Sequence, residues 1–442
     1  MIKLLGNTRI TKFNYFYMMC MMVYLGHATV FARSLGNLAS WGNTFALIIT
    51  AILIMKNRIK FDKTFFISIG VFLIYAAATT INNGLINPMW ISQWIIWLTI
   101  AFCILKTFKV QLFDVYETIL YQLCIVSLVF WILHIVFPSS LENICAVIQF
   151  STPHGGENSN VASNVIFYTI GSNGTNEFAL IKRNSGFAWE PGAFASYICL
   201  AIFCNSLRRN FSLENNKSLI IFVITLISTQ STAGFMIFIV MLITWLIINR
   251  KSWHIFVIIP IVLFLFRLPF VQEKMLEEYG NLESFDLSMT SDTNTYTLGR
   301  MASFMLDWQE FLLHPILGLG GWSEGTWLNQ FGYDNISTIS GIGELLAMYG
   351  AIMTILFFYL IFKSARLVTK TISKNGYLML VAIIGMTISY SMWRHPIYMC
   401  FWLYGVYMVK KEIRKRRQDE DSLSMLSMTE KTQIPQETIV KY

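Results

Sequence analysis

Charge is scarce in this chain. Only 13% of its 442 residues are Asp, Glu, Lys or Arg, about half the share found in soluble globular proteins. That excludes an ordinary water-facing surface over most of the molecule. Proline is also scarce, at nine residues, yet 55% of the chain is hydrophobic, so intrinsic disorder is excluded as well. Of the seven cysteines only Cys145 falls in a polar segment, and no CxxC occurs, which leaves neither a disulfide framework nor a thiolate metal site. There is no Walker A sequence. The glycines of Gly318-Leu-Gly320-Gly321 follow no strand of a βαβ unit, so nucleotide cradles of both common kinds are excluded. His154 and His314 stand alone, and neither a metal nor a cofactor is expected. The D-x-D match at Asp419-Glu420-Asp421 lies beside Arg416 and Arg417 and reads as a solvated charge run.

What the chain does have is apolar stretches at bilayer length, with a mean hydropathy of +0.54. The expected fold class is an all-α polytopic membrane protein with about 12 transmembrane helices. The expected spans are 13–32, 41–55, 64–81, 90–105, 115–137, 191–207, 218–230, 234–249, 253–267, 342–363, 376–392 and 396–409. The first follows Lys3, Arg9 and Lys12 and reads as a signal anchor. His27 and His134 lie within spans and read as buried polar contacts. Trp41, Trp90, Trp94, Trp393 and Tyr404, near span ends, read as interfacial belts.

With a cytoplasmic N-terminus, every inside connection is basic, and the net charge of +8 becomes a topological signal rather than a sign of nucleic acid. All but seven of the 33 Lys and Arg then fall inside; the exceptions are Arg33, Lys182, Arg183, Arg267, Lys274, Arg300 and Arg394. Both termini are expected in the cytoplasm. Residues 1–411 form one membrane domain, and 412–442 a disordered cytoplasmic tail. Two outer loops are long, about 138–190 and 268–341. In the second, Met301, Phe304, Met305, Trp308, Phe311 and Leu312 recur at helical spacing. They predict an amphipathic helix lying on the membrane surface, ended by His314-Pro315.

The outer arginines stand where topological bias would remove them. A guanidinium stays charged in any environment and grips phosphate oxygens in two-pronged fashion. Arg183 opens Arg183-Asn-Ser-Gly-Phe-Ala-Trp-Glu190-Pro191-Gly192, which runs into the sixth span. Arg300 starts the amphipathic helix, and Arg394-His395 turns the chain between the last two spans. Headgroup anchoring would also explain each of them. Glu190 before Pro191 suits a helix start, but a carboxylate at the mouth of a bundle could equally take a proton from a sugar hydroxyl. Glu344 repeats that arrangement at the tenth span.

At these residues the chain resembles the bacterial O-antigen polymerase and ligase superfamily. The resemblance rests on the Arg183–Gly192 run, on Gly299-Arg300 followed by His314-Pro-Ile-Leu-Gly-Leu-Gly320, and on Gly341-Ile-Gly-Glu344-Leu-Leu-Ala-Met-Tyr-Gly350. The Ser228-Thr-Gln-Ser231-Thr-Ala-Gly234 break is similar too. The resemblance implies a metal-independent glycosyltransferase of the inner membrane of a bacterium. Its partners would be undecaprenyl-pyrophosphate-linked glycans as donor and acceptor, membrane lipid and a chain-length regulator. Arg183, Glu190 and Arg300 would carry catalysis; Arg394, His395, Glu344, His314 and Arg267 would bind substrate. Family ligases carry His-Asn just before the Glu344 pattern, where this chain has Ser337-Thr-Ile-Ser340. A Wzy-type polymerase of O-antigen or capsule repeat units is therefore expected ahead of a ligase acting on lipid A core. A flippase or transporter is the alternative of another class, but these spans carry almost none of the midplane charges that transporters use.

Overall fold

The computed structural model describes residues 1–25, 29, 39–84, 86–146, 149–150, 162–164, 167–170, 182–250, 267, 296–297, 299–321, 325–330 and 336–408. His27, His154, the tail and all of the expected span 253–267 except Arg267 lie outside them, as do the side chains of Trp41 and Cys145. The described helices are α1 (Lys12–Val23), α2 (Ala39–Asn57), α3 (Lys63–Asn83), α4 (Pro88–Phe108), α5 (Gln111–Val136), α6 (Pro138–Ala146), α7 (Pro191–Arg209) and α8 (Lys217–Thr229). They continue with α9 (Thr232–Ile248), α10 (Arg300–Leu313), α11 (Trp327–Gln330), α12 (Gly341–Thr371), α13 (Leu378–Ser389), α14 (Pro396–Trp402) and α15 (Tyr404–Tyr407).

Four of these, α3, α4, α5 and α12, are long and apolar enough to cross a membrane, and α8 and α9 are shorter apolar helices. Their outward faces are greasy: Ile67, Ile74 and Ile81 on α3, Val129, Ile132 and Val136 on α5, and Ile352, Ile355 and Tyr359 on α12 are exposed. Apolar bands turned outward are what a lipid solvent demands, and the chain is a helical membrane protein. The last two expected spans are broken. A 3₁₀ turn, Lys374–Tyr377, precedes α13, and Leu403 separates α14 from α15.

At the centre stands α7, in which every residue from Pro191 to Leu207 is buried. It packs against α5, α8, α9 and α13. Small residues permit this crowding: a Cβ added at Gly234 of α9 would lie 2.5 Å from the Cβ of Ala195. The helix needs no lipid-compatible face, which is why its sequence is the least uniformly apolar of the expected spans.

The described residues are mostly helical, and short strands tie the loops. They are Ile2–Lys3 with Arg9–Ile10, Gln149–Phe150 with Ala162–Asn164 and Thr169–Ile170, and a parallel pair of Tyr296–Thr297 with Ile336–Ser337. The amphipathic helix α10 forms where the apolar spacing predicts it and ends at His314, with its polar stripe turned to the protein. Met301, Met305, Trp308 and Leu312 are exposed while Ser303, Asp307 and Glu310 are buried against α12. Of the aromatic belts, Trp94, Trp393 and Tyr404 are buried within the protein rather than set at its rim. Trp94 Nε1 donates to the Tyr349 hydroxyl at 3.1 Å, and Trp90 Nε1 donates to it at 3.3 Å. His134, by contrast, is a buried polar contact as expected, 3.1 Å from the Tyr168 hydroxyl and 2.9 Å from Lys182 Nζ.

One helix is deliberately interrupted. Within α12, Gly350 has φ 67° and ψ −176°, a conformation essentially closed to other residues. The chain after α10 fills the gap. Leu319 N and Gly320 N donate to Ala347 O and Met348 O at 3.1 and 2.8 Å, and Ala351 N donates to Pro315 O at 2.8 Å. Gly318 and Gly350 approach so closely that a Cβ on either would sit 2.6 Å from the other's backbone nitrogen. The His314–Gly320 segment and the helix that begins Gly341-Ile-Gly-Glu344 are thus one hydrogen-bonded unit.

Candidate functional site

Arg183 is positioned by the break between α8 and α9. Asn184 anchors the segment, its N donating to Ser228 O at 3.0 Å and its Nδ2 to Ser228 Oγ at 3.0 Å. Arg183 Nε then donates to Thr229 O at 3.1 Å and Nη2 to Gln230 O at 3.2 Å. These are carbonyls at the C-terminal end of α8, where a cation is favoured. Seven residues on, Glu190 is the N-cap of α7, with Pro191 in the first turn. Its side chain makes no capping bond; it hydrogen-bonds the Tyr390 hydroxyl instead.

Tyr390 is where the cluster meets. Arg300, the first residue of α10, donates from Nη2 to the Tyr390 hydroxyl at 2.6 Å. Its guanidinium carbon lies 4.6 Å from the ring centroid, a cation–π stack. Gly192 admits both groups, because a Cβ there would overlap the Tyr390 hydroxyl and lie 3.4 Å from Arg300 Nη2. Arg183 is close enough for its charge to be felt. Burial pushes its guanidinium below the ordinary value, Tyr390 and Glu190 oppose that, and Arg300 adds to it. Arg183, Arg300 and Glu190 all remain partly exposed.

A second ionic group adjoins through the next residue of the chain. Ser391 Oγ donates to Glu344 Oε2, and Arg394 Nη1 pairs with Glu344 Oε1. Burial disfavours the Arg394 charge, but the carboxylate of Glu344 outweighs it and holds the guanidinium above its usual value. Glu344 sits in the first turn of α12, whose cap is Ser340, Oγ accepting from Gly343 N at 3.1 Å. The Ser337-Thr-Ile-Ser340 stretch therefore supplies a strand residue, Ser337, and a helix cap.

Of the residues expected to act together, Arg183, Glu190, Arg300, Glu344 and Arg394 come together. His314 lies 3.7 Å from Glu310 Oε1 on the far side of α10's polar stripe. His395 packs its ring 5.2 Å from that of Trp97. Burial and then Arg394 push its imidazole down to about 3, so it is neutral and cannot serve as a cation for phosphate. Arg267 is exposed, with the residues around it outside those described.

Three participants escaped sequence reasoning. Tyr390 carries no signal, being one of 19 tyrosines beside an apolar run. Asp307 and Glu310 did leave one. Arg300, Ser303, Asp307, Glu310 and His314 repeat at steps of three and four, a polar stripe opposite the apolar one. Asp307 is buried, and its carboxyl is hydrogen-bonded by Thr338. Among the described residues, no group of three His, Cys, Asp or Glu could hold a metal ion. No protein-family model matches the chain, and no curated protein matches it.

Proposed function

We propose that this protein is a membrane glycosyltransferase that polymerises polyprenyl-pyrophosphate-linked oligosaccharide repeat units, as O-antigen and capsule polymerases do, at the outer face of a bacterial cytoplasmic membrane. The observation that carries the reading is that Arg300 and Glu190 hydrogen-bond one tyrosine hydroxyl while the charge of Arg183 acts on both Tyr390 and Arg300. Two partly exposed arginines from segments more than a hundred residues apart thus lie within electrostatic reach of each other, beside a carboxylate. Such a pair matches the charge and oxygen count of a pyrophosphate.

In the proposed reaction an acceptor hydroxyl oxygen attacks the anomeric carbon of the lipid-linked donor. The bond from that carbon to the pyrophosphate oxygen breaks, and its electron pair leaves with the polyprenyl pyrophosphate. Arg183 and Arg300 stabilise the charge that develops there, and Glu190 takes the hydroxyl proton. The exposed apolar face of α10 suits contact with lipid, which would bring a polyprenyl chain alongside Arg300. The basic residues of the inside connections support cytoplasmic termini and an outward-facing cluster. The test is direct: purified protein in lipid nanodiscs, given polyprenyl-pyrophosphate-linked repeat units, should yield a ladder of products without lipid A core. Product formed only when core is supplied would make it a ligase, and no product from either would overturn the assignment.

A further inference from the structure

The polar stripe of α10 borders a cavity of about 260 Å³ lined by Asp307, Glu310, Thr326, Trp327, Asn329 and Thr338. Asp307 and Glu310 are 7% and 5% exposed. Among the described residues, Asp307 Oδ2 and Glu310 Oε1 have no hydrogen-bond partner, and Oε1 lies 3.7 Å from His314 Nε2. The other Glu310 oxygen accepts from Trp327 N at 2.6 Å, which fixes the wall of the cavity to α10. A buried polar oxygen left without a partner costs roughly 1–3 kcal/mol, and such oxygens on two neighbouring carboxyl groups suit a ligand that brings hydroxyl groups.

We propose that this cavity is a carbohydrate subsite that holds one neutral sugar ring, with hydroxyls donating to Asp307 and Glu310 and Trp327 supplying an aromatic wall. Its volume lies just under the roughly 300 Å³ at which pockets for larger ligands begin, which suits one ring and not an oligosaccharide. The competing occupant of an acidic cavity is a divalent cation. Burial, reinforced by Glu344 and Glu310 and opposed by Thr338, raises the Asp307 carboxyl to about 8. A cation would have to expel the proton that Asp307 holds at neutral pH, whereas a sugar need not. The inference deepens the polymerase reading and rests on it for one point, that the bound ring belongs to the acceptor. Asp307 adjoins Glu344, and Glu344 is joined through Ser391 to the Tyr390 cluster.

The experiment is saturation-transfer difference NMR on the full-length protein in nanodiscs. The probes are the methyl glycosides of glucose, galactose, mannose and N-acetylglucosamine, with manganese binding followed separately by EPR. At least one glycoside should give transfer in the wild type. Asp307→Leu and Glu310→Leu should weaken it about tenfold or more, the loss of one hydrogen bond to a charged or strongly polar group. Asp307→Asn, which keeps an acceptor and stays neutral, should retain it; thermal unfolding shows that each variant is folded. Absence of transfer from every glycoside, or transfer untouched in the folded leucine variants, overturns the subsite. Manganese binding that Glu310→Leu abolishes, without glycoside transfer, replaces it with a cation site. A product ladder without glycoside binding sinks the subsite and spares the polymerase reading. Glycoside binding at these residues, without a ladder from any repeat unit, does the reverse.

Discussion

Arg300 and Tyr390, 90 residues apart, are bound in two ways at once: a 2.6 Å hydrogen bond at the hydroxyl and a guanidinium seated over the ring. The two can be separated by substitution. Tyr390→Phe keeps the ring and removes the hydroxyl that Glu190 and Arg300 share. Hydrogen bonds to charged groups contribute about 1.5–3 kcal/mol, so turnover in the ladder assay should fall by about 10- to 100-fold with the protein still folded. Wild-type turnover would reduce Tyr390 to a packing residue.

Arg300→Lys should rescue poorly relative to Arg300→Ala. A lysine ammonium is a point charge that can neither span two phosphate oxygens nor lie flat on Tyr390. The loss expected for one missing contact to a developing anion is about 10²- to 10³-fold. Full activity with lysine would show that charge alone is needed. Glu190→Gln preserves the helix start at Pro191 and should cost about 10²- to 10⁴-fold, the range for a lost general base.

Gly192→Ala places a methyl on the Tyr390 hydroxyl and against Arg300. The substitution touches neither guanidinium chemically, yet it should depress turnover nearly as far as Tyr390→Phe. Unchanged kinetics together with a crystallographic or cryo-EM position of Tyr390 that had not moved would contradict the crowding seen here.

Asp307 gives stability a pH dependence. Its carboxyl is raised to about 8 in the folded protein from 3.8, so between those values the folded state holds a proton that the unfolded state has lost. Stability is then full below about pH 4 and declines as pH rises, by up to about 1.4 kcal/mol per unit, levelling off above pH 8. Thermal unfolding across pH 5 to 8 should show this fall in the wild type and a flatter profile in Asp307→Asn. Parallel profiles would mean that Asp307 is ionised in the fold.

A control lies far from the cluster. Glu117, wholly buried, accepts two hydrogen bonds from Arg208 Nη2 at 2.6 and 2.7 Å and others from Asn205 and Ser218. Arg208→Ala strands that carboxylate and should cost about 3–5 kcal/mol of stability, read as a drop in unfolding temperature, while the surviving folded protein keeps its turnover. A specific loss of turnover would extend the site across the bundle.

The apolar helices were legible because hydropathy is a local signal. The arginines stood out for a related reason: a guanidinium where the charge pattern of the expected topology discourages one must be explained. What covers the polar stripe of α10 was not legible. Its apolar stripe pointed to a helix on the membrane surface, and the fold presses the opposite, polar stripe onto α12 while leaving the methionines outside. Which stripe is buried depends on what stands next to it, and Gly343 leaves the room that lets Asp307 in. Tyr390 and the tryptophans around Tyr349 were invisible for the same reason, since a residue's partners across 90 or 255 residues of chain leave no trace in its neighbours.

The interrupted helix at Gly350 bears on how a substrate is received. Because residues 315–320 and 347–352 complete each other's backbone hydrogen bonds, the end of α10 cannot drift from α12 without exposing amides and carbonyls to an apolar interior. The arginine at one end of α10 and the glutamate at the start of α12 are therefore held in register by a covalent and hydrogen-bonded frame before any ligand arrives. On the proposed polymerase reading, a lipid-linked donor would meet a site whose ordering entropy was spent during folding, which would leave its binding free energy for the departure of the pyrophosphate.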